Sequence, residues 1–127
     1  MNHTDQFEIG MSTRMEVMGA SRVTSSLVEA SGFARPLQEI VTGFAWGDIW
    51  NRPGIDRKQR SIMTLGMLIA LGKPAELRAH VRGAVNNGLT VDEIRELVIH
   101  SAVYCGFPAA LEASRACEES FAEIAAG

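Results

Sequence analysis

Apolar residues recur at helical spacings along most of the chain, and the alternation typical of β-strands is scarce. Phe7, Met11, Met15 and Met18 are spaced by four, four and three residues, which places them on one face of a helix. Between Ile62 and Leu71 the chain is apolar almost all round, a pattern that predicts a central, buried helix. With the many alanines and methionines, these patterns predict an all-α fold.

The C-terminal half carries the strongest signals for where helices begin and end. Gly88 suits the left-handed position just past a helix end. Thr90 and Glu93 have the spacing of a capping box that starts the next helix. Gly106 ends that helix, and Pro108 suits the first turn of another. We therefore expect two sharply delimited helices, followed by a third.

Polar and reactive side chains come from the first two of these helices. Glu76 and His80 are four residues apart and share a face, to which Asn87 returns eleven residues after Glu76. Tyr104 and Cys105 lie at the end of the second helix. A lone histidine is more often a surface or core residue than a catalytic one, so a functional role for His80 depends on its surroundings.

Two pairs of residues earlier in the chain are candidates for binding. A helix is predicted from Pro36 to about Trp50, with Trp46 and Trp50 on its flank. Core packing, an oligomer contact and the lining of a pocket all fit the two tryptophans. Arg57 and Arg60 share the first turn of the next helix, where the helix dipole disfavours positive charge. They call for an anionic partner, either acidic side chains or a carboxylate ligand.

Length, charge and cysteine content narrow the classes of function. The 127 residues are predicted to form one domain, 1–127. A net charge of −3 without a basic block argues against nucleic-acid binding. Met1–Gly10 is too polar for a signal peptide, and Ile62–Leu71 is too short to cross a membrane. Cys105 and Cys117 have neither metal nor redox spacing, so we expect a cytoplasmic protein with reduced thiols and no metal site.

Five segments together carry a family resemblance. They are Phe44–Trp50, Arg52–Arg57, Leu77–Val81, Asn86–Gly88 and Ala102–Gly106. Gly10–Met11 and Arg14–Gly19 near the N-terminus are similar too, so the resemblance extends over nearly the whole chain. In these segments the chain resembles the carboxymuconolactone decarboxylase family, within the alkylhydroperoxidase-like superfamily. The resemblance implies a helical bundle of about six to seven helices and a ring-like homo-oligomer, typically a hexamer.

The sequence departs from the peroxidases of that superfamily at the residues that do their chemistry. Those proteins carry Cys-x-x-Cys followed by a histidine. His80 matches the histidine, but Lys73 and Glu76 occupy the cysteine positions. Thiol peroxidase activity is therefore not expected.

The reaction that the resemblance implies is the loss of carbon dioxide from γ-carboxymuconolactone, giving β-ketoadipate enol-lactone, in protocatechuate catabolism. The leaving carboxylate sits on a ring carbon that is conjugated through the C=C bond to the lactone carbonyl. The electrons left behind delocalise into a dienolate, so no cofactor is needed in principle. The partner of the protein is then a small dicarboxylate lactone, which requires positive charge, donors at the lactone oxygen and a proton for a ring carbon.

Charged residues are candidates for two of these tasks. Arg57 and Arg60 are candidate clamps for the substrate carboxylates, because the planar guanidinium forks match a carboxylate. His80 is the candidate general acid, since histidine exchanges a proton near neutral pH, and Glu76 would orient it or hold its proton.

Uncharged residues are candidates for the remaining tasks. Asn87 and Tyr104 are expected to donate hydrogen bonds to the lactone oxygen. Trp46 and Trp50 are expected to exclude water from the departing carboxylate. Cys105 is interpreted as structural.

Two alternatives remain open from the sequence. One is a paralogous decarboxylase or isomerase that acts on a related lactone or β-keto acid, because one fold hosts many sites. The other is a non-catalytic oligomeric binding module. A direct assay with γ-carboxymuconolactone separates both from the activity that the resemblance implies.

Overall fold

The computed structural model describes residues 2–127, and Met1 lies outside this range. Within it the chain is all-helical without a β-strand, which confirms the predicted all-α fold. The seven α-helices are α1 His3–Met18, α2 Ala20–Val23, α3 Arg35–Ile40, α4 Arg57–Leu71, α5 Pro74–Asn86, α6 Val91–Cys105 and α7 Phe107–Ala126. π-Helical segments occupy Thr24–Val28 and Val41–Trp46, and Ile49–Asn51 forms a 3₁₀ turn.

Backbone contacts divide the chain into two compact units. The first ends at Asp56, and the second is Arg57–Gly127. The prediction of a single domain over residues 1–127 stays a prediction.

In the first unit, α1 lies directly against the backbone of the π-helical segment Val41–Trp46. A Cβ atom at Gly10 would overlap the carbonyl oxygen of Thr42. A Cβ atom at Gly47 would overlap the carbonyl oxygens of Gln6 and Gly43. Only glycine permits so close an approach of two backbones, so these positions fix how α1 packs.

This close contact also selects the face of α1 that is buried. The buried residues of α1 are Gly10, Thr13, Arg14, Val17 and Met18. Phe7, Met11, Met15 and Met18 lie on one helix, as predicted. Of these, Met18 is buried, Met15 is exposed, and Phe7 and Met11 are half-buried. The reason for this pattern is that Gly10, which a count of apolar residues ignores, sits at the centre of the contact.

The single helix predicted from Pro36 to about Trp50 was also wrong. The structure divides it into α3, the π-helical segment and the 3₁₀ turn. The amide of Gly47 donates to the carbonyl oxygen of Thr42 at 2.9 Å, five residues back, as in a π-helix. The widened turn places the backbone of Thr42 against Gly10, a tertiary contact that a periodicity count does not detect.

The second unit is a bundle of α4, α5, α6 and α7 around one apolar core. Burying each large aliphatic side chain of such a core contributes about 1.5–3 kcal/mol. The core residues are Leu65, Ile69, Leu77, Val81, Ala84, Leu89, Ile94, Ala113, Ala116 and Cys117.

The local signals in this unit are confirmed. Gly88 has a φ of +102° after α5, and Gly106 has a φ of +90° after α6. The hydroxyl of Thr90 accepts from the amide of Glu93 at 3.0 Å, and the Glu93 carboxylate accepts from the amide of Thr90 at 3.0 Å. This is the predicted capping box, and buried Leu89 and Ile94 flank it.

The prediction that Ile62–Leu71 is a largely buried helix was wrong for the single chain. α4 buries Ser61, Leu65 and Ile69, whereas Met63 and Leu71 are 60% and 68% exposed. The reason is that the other helices of the unit cover one face of α4 only. None of the described helices has the length and apolar character needed to cross a bilayer.

Candidate functional site

Arg57 and Arg60 lie on the first turn of α4, and both side chains are half-buried. Lys58, between them, forms an ion pair with Glu93 at 3.2 Å, from Nζ to Oε2. The first turn of α4 therefore carries the positive charges of Arg57 and Arg60 beside a lysine that is paired with Glu93, at the end of a helix where anions are favoured. Such a turn is suited to binding carboxylates.

Asn87 connects the end of α5 to this turn. Its side-chain nitrogen Nδ2 donates to Ser61 Oγ at 2.9 Å and lies 3.4 Å from the backbone carbonyl oxygen of Arg57, to which it also donates. A side-chain amide has two protons, and both are directed at α4 in this geometry. The predicted hydrogen bond from Asn87 to a substrate oxygen would have to replace one of these two.

Glu76 and His80 are one turn apart on α5, as the sequence predicted. Glu76 is exposed in the first turn, and His80 is half-buried. Leu77 and Val81, the residues that follow each of them, are in the core. His80 therefore lies at the edge of the core, where a side chain is anchored and can still reach solvent or a ligand.

Tyr104 lies on the outward side of α6 and is 78% exposed. Its ring centroid is 5.4 Å from that of His100, with the planes tilted by 45°. The structure thus brings Tyr104 together with a histidine to which the sequence assigned no role. The predicted function of Tyr104 as a hydrogen-bond donor stays a prediction.

Trp46 and Trp50 form a stacked pair within the first unit. Their ring centroids are 4.7 Å apart and their planes differ by 21°. Trp46 is 4% exposed, and Trp50 is half-buried. Asn51 supports the pair, because its Nδ2 donates to the carbonyl oxygen of Trp46 at 3.1 Å and to Thr13 Oγ1 at 2.9 Å.

A buried arginine that the sequence did not single out lies in the same unit. The guanidinium of Arg14 donates to Thr42 Oγ1 at 2.9 Å and to Gln38 Oε1 at 2.8 Å. Thr42 in turn donates to the carbonyl oxygen of Gln38 at 2.7 Å. This network ties α1 to the start of the π-helical segment that ends at Trp46.

The sequence also missed Ser61, for which a signal exists. Ser61 is a hydroxyl residue at the junction between the charged first turn of α4 and its apolar remainder, and it is 3% exposed. A buried polar group requires a hydrogen-bond partner, so the burial of Ser61 implies that it has one. The partner, Asn87, is 26 residues away and is not identifiable from spacing.

Two ionisable groups of the second unit have shifted pKa values. The pKa of the exposed Glu93 carboxyl is held below its usual value by the hydrogen bond from the Thr90 backbone amide and then by Lys58. Burial, with the neighbouring Glu118 carboxylate, raises the pKa of the Cys117 thiol to about 11. Cys117 is therefore a poor nucleophile, and both cysteines are free thiols.

Over residues 2–127, no three His, Cys, Asp or Glu side chains are grouped as metal ligands would be. The expectation that activity requires no metal or organic cofactor stays a prediction.

Comparison with known proteins gives two kinds of match. The family model described as "Carboxymuconolactone decarboxylase family" matches residues 35–119, a range that contains every candidate site residue. The chain is 50% identical over 111 residues to "Nitrosuccinic acid decarboxylase npaB" of Metarhizium robertsii, covering 87% of this chain and 78% of that protein. It is 40% identical over 124 residues to "4-carboxymuconolactone decarboxylase" of Acinetobacter baylyi, covering 98% of this chain and 92% of that protein.

Proposed function

This chain belongs to the carboxymuconolactone decarboxylase family, and on that premise we propose that it is a cofactor-independent carboxy-lyase of small dicarboxylates. One observation carries the proposal. Over most of its length the chain is similar to two proteins that are named as decarboxylases of different substrates. The arginine-bearing turn of α4 supports it, since it offers positive charge to an anionic substrate.

The two named substrates have a common chemistry. In γ-carboxymuconolactone the electrons released with carbon dioxide delocalise through the C=C bond onto the lactone carbonyl oxygen. In nitrosuccinic acid, loss of the carboxylate beside the nitro group leaves electrons that the nitro group takes onto its oxygens. Each compound keeps a second carboxylate. A site for either must bind two carboxylates, stabilise charge on an acceptor oxygen and return a proton to carbon.

The second unit supplies residues for these tasks. Arg57 and Arg60 bind the carboxylates, with the one that is retained held most firmly. The C–C bond to the leaving carboxylate breaks, its electron pair moves to the acceptor oxygen, and carbon dioxide departs. His80 then delivers a proton to the substrate carbon as the electron pair returns, with Glu76 one turn away on α5 to hold the imidazole's proton.

Two compounds are candidates for the physiological substrate. γ-Carboxymuconolactone is favoured by a match that covers nearly the full length of both chains. Nitrosuccinic acid is favoured by the higher identity, 50% against 40%. Tyr104 is proposed as a donor to a lactone oxygen only for the first compound. Asn87 would take the same role only by giving up one of its two hydrogen bonds to α4.

Separate assays with the two compounds test the proposal. Purified protein is incubated with each, and carbon dioxide release and the organic product are followed by NMR. The His80→Gln protein, purified in the same way, controls for contaminating enzymes. We expect turnover of one compound to exceed that of the other by at least tenfold. Turnover of neither contradicts the decarboxylase proposal, and saturable binding without turnover favours the binding-module alternative.

We further propose that the protein is a homo-oligomer, with a hexamer as the expected state. Large apolar side chains are exposed on three helices of the second unit, and such side chains favour association where they form a common surface. They include Met63, Met67, Leu71, Val103, Phe107 and Leu111. Sedimentation equilibrium at micromolar concentration is the measurement, and a monomer there contradicts the proposal.

The predicted cytoplasmic location and place in protocatechuate catabolism also remain proposals. Fractionation of the source cells tests the first. Growth of a deletion strain on protocatechuate tests the second, since loss of growth is expected if the lactone is the substrate.

A further inference from the structure

We propose that Asn87 and Ser61 form a clamp that positions the first turn of α4, and with it Arg57 and Arg60, for substrate binding. The clamp consists of the Asn87 side-chain amide, the Ser61 hydroxyl and the Arg57 backbone carbonyl. The inference rests on the proposed function, because it concerns how the same arginines are held. Asn87 is then a positioning residue instead of a donor to the substrate.

The backbone around Asn87 holds its side chain in place. The amide of Asn87 donates to the carbonyl oxygen of Gly83 at 2.9 Å, and the amide of Gly88 donates to that of Val85 at 3.0 Å. Gly88 then takes a φ of +102°, which ends α5 at a defined residue. The side-chain amide is therefore presented to α4 from a backbone that is itself hydrogen-bonded.

On α4, the clamp spans one complete helical turn. Nδ2 of Asn87 donates to Ser61 Oγ at 2.9 Å and to the Arg57 carbonyl oxygen at 3.4 Å, four residues earlier. Arg60 lies within that turn. Ser61 is 3% exposed, so its hydroxyl cannot exchange Asn87 for bulk water without opening the helix contact.

The first turn of α4 requires such support. Arg57 and Arg60 place positive charge at a helix N-terminus, where the dipole disfavours cations and where helices fray, whereas Lys58 between them is paired with Glu93. The two arginines can bind the substrate carboxylates productively only if their guanidinium groups are placed to within a fraction of an ångström. A displacement of about 1 Å can lower the rate about 100-fold. A hydrogen bond from a neighbouring helix to this turn limits fraying without placing a negative charge beside the arginines.

A double-mutant cycle of Asn87→Ala and Ser61→Ala tests the clamp. Steady-state kinetics use whichever of the two compounds the wild-type protein decarboxylates. We expect each single variant to raise KM about tenfold with a smaller change in kcat, as expected for a displaced binding group. We expect the double variant to be no worse than Asn87→Ala alone, because Ser61→Ala removes one of the two contacts that Asn87→Ala already removes. Hydrogen exchange of a peptide covering residues 57–64 should be faster in all three.

Ser101→Ala is the matched control. Ser101 is also a buried serine of the second unit, but its hydroxyl donates to the Val98 carbonyl at 2.6 Å within its own helix. This variant should leave KM and the exchange of residues 57–64 unchanged. If the Asn87→Ala protein does not fold, Asn87→Asp takes its place, because aspartate keeps the shape of the side chain and removes both donors.

Two results overturn the clamp. One is that Ser61→Ala leaves KM normal while Asn87→Ala lowers kcat. This pair of results would mean that Asn87 contacts the substrate directly. The other is additive effects of the two substitutions on local hydrogen exchange. If the wild-type protein decarboxylates neither compound, the proposed function fails, while the exchange measurements still decide whether the clamp exists.

Discussion

The indole rings of Trp46 and Trp50 stack with centroids 4.7 Å apart, but the two residues differ in exposure. Trp46 is almost completely buried, whereas Trp50 retains exposed surface. One ring therefore anchors the pair in the first unit, and the other carries the surface that is available to a ligand or a neighbouring chain.

This difference predicts unequal effects of removing each ring. Trp46→Ala should destabilise the protein by about 3–5 kcal/mol, the usual range for a buried tryptophan, and Trp50→Ala by less. Urea unfolding measures both, and near-UV circular dichroism reports loss of the stacked pair. If Trp50 excludes water from the reaction, kcat falls in Trp50→Ala while the fold stays intact. If kcat is unchanged, Trp50 contributes to packing and has no role in the reaction.

Gly47→Ala should be strongly destabilising, because its Cβ would overlap two backbone carbonyl oxygens. Overpacking of this kind costs about 1–3 kcal/mol. Gly54→Ala is the matched control in the same unit, since nothing lies within 4 Å of the added atom. Thermal unfolding of the two variants should differ clearly, and equal stability would contradict the close contact between α1 and the π-helical segment.

His80→Gln should lower kcat by roughly 10²–10⁴-fold with the fold and oligomer intact, the usual size for a lost general acid. Glu76→Gln should lower it less, because an orienting partner is only partly essential. Arg60→Ala should also raise KM, since it removes a group that binds the substrate.

His3→Gln serves as the control for the His80 variant. His3 is an exposed histidine on α1 to which no role is assigned, and the same substitution there should leave kcat unchanged. A folded, nearly fully active His80→Gln protein would remove this histidine from the mechanism and leave Tyr104, Cys105 or bound water as the proton donor.

Cys117 should resist alkylation in the native protein. Because burial raises the pKa of its thiol from 9.0 to about 11, its thiolate fraction near pH 8.5 should be about 100-fold below that of the unfolded chain. Mass spectrometry after iodoacetamide treatment with and without urea measures the difference, with half-buried Cys105 as the internal comparison. Equal modification of Cys117 in both conditions is the contrary outcome.

The raised pKa of the Cys117 thiol also predicts that the free energy of unfolding falls as the pH rises above about 9. The folded state keeps the proton to about pH 11, whereas the unfolded chain releases it near pH 9. The contribution of Cys117 to stability is therefore complete below about pH 9 and is lost as pH rises through 11. Cys117→Ala should flatten this part of the curve of unfolding free energy against pH.

Activity should survive treatment with EDTA and should require no added flavin or pyridoxal phosphate. The reason is chemical, since the substrate itself delocalises the electrons left by carbon dioxide. The assay compares turnover before and after chelation and after metal is restored. Activity that is lost on chelation and returns with a metal ion would contradict the prediction.

The sequence predicted correctly those features that depend on residues close together in the chain. The ends of α5 and α6 were predicted correctly because Gly88 and the Thr90–Glu93 capping box act within a few residues. The π-helical segment and the buried face of α1 were not, because Gly10 meets Thr42 across 32 positions of sequence. The Ser61–Asn87 hydrogen bond escaped prediction for the same reason.

The glycine-ended helices of the second unit have a consequence for how it folds. Gly72, Gly88 and Gly106 let α4 to α7 follow one another through very short connections. α4 packs on α5 and on α6, and α7 packs on α5 and on α6. Few long loops have to close before these contacts form, as in helical bundles of low relative contact order. Helical bundles of this kind fold in microseconds to milliseconds. We therefore expect the assembly of several chains, which depends on concentration, to be slower than the folding of any one of them.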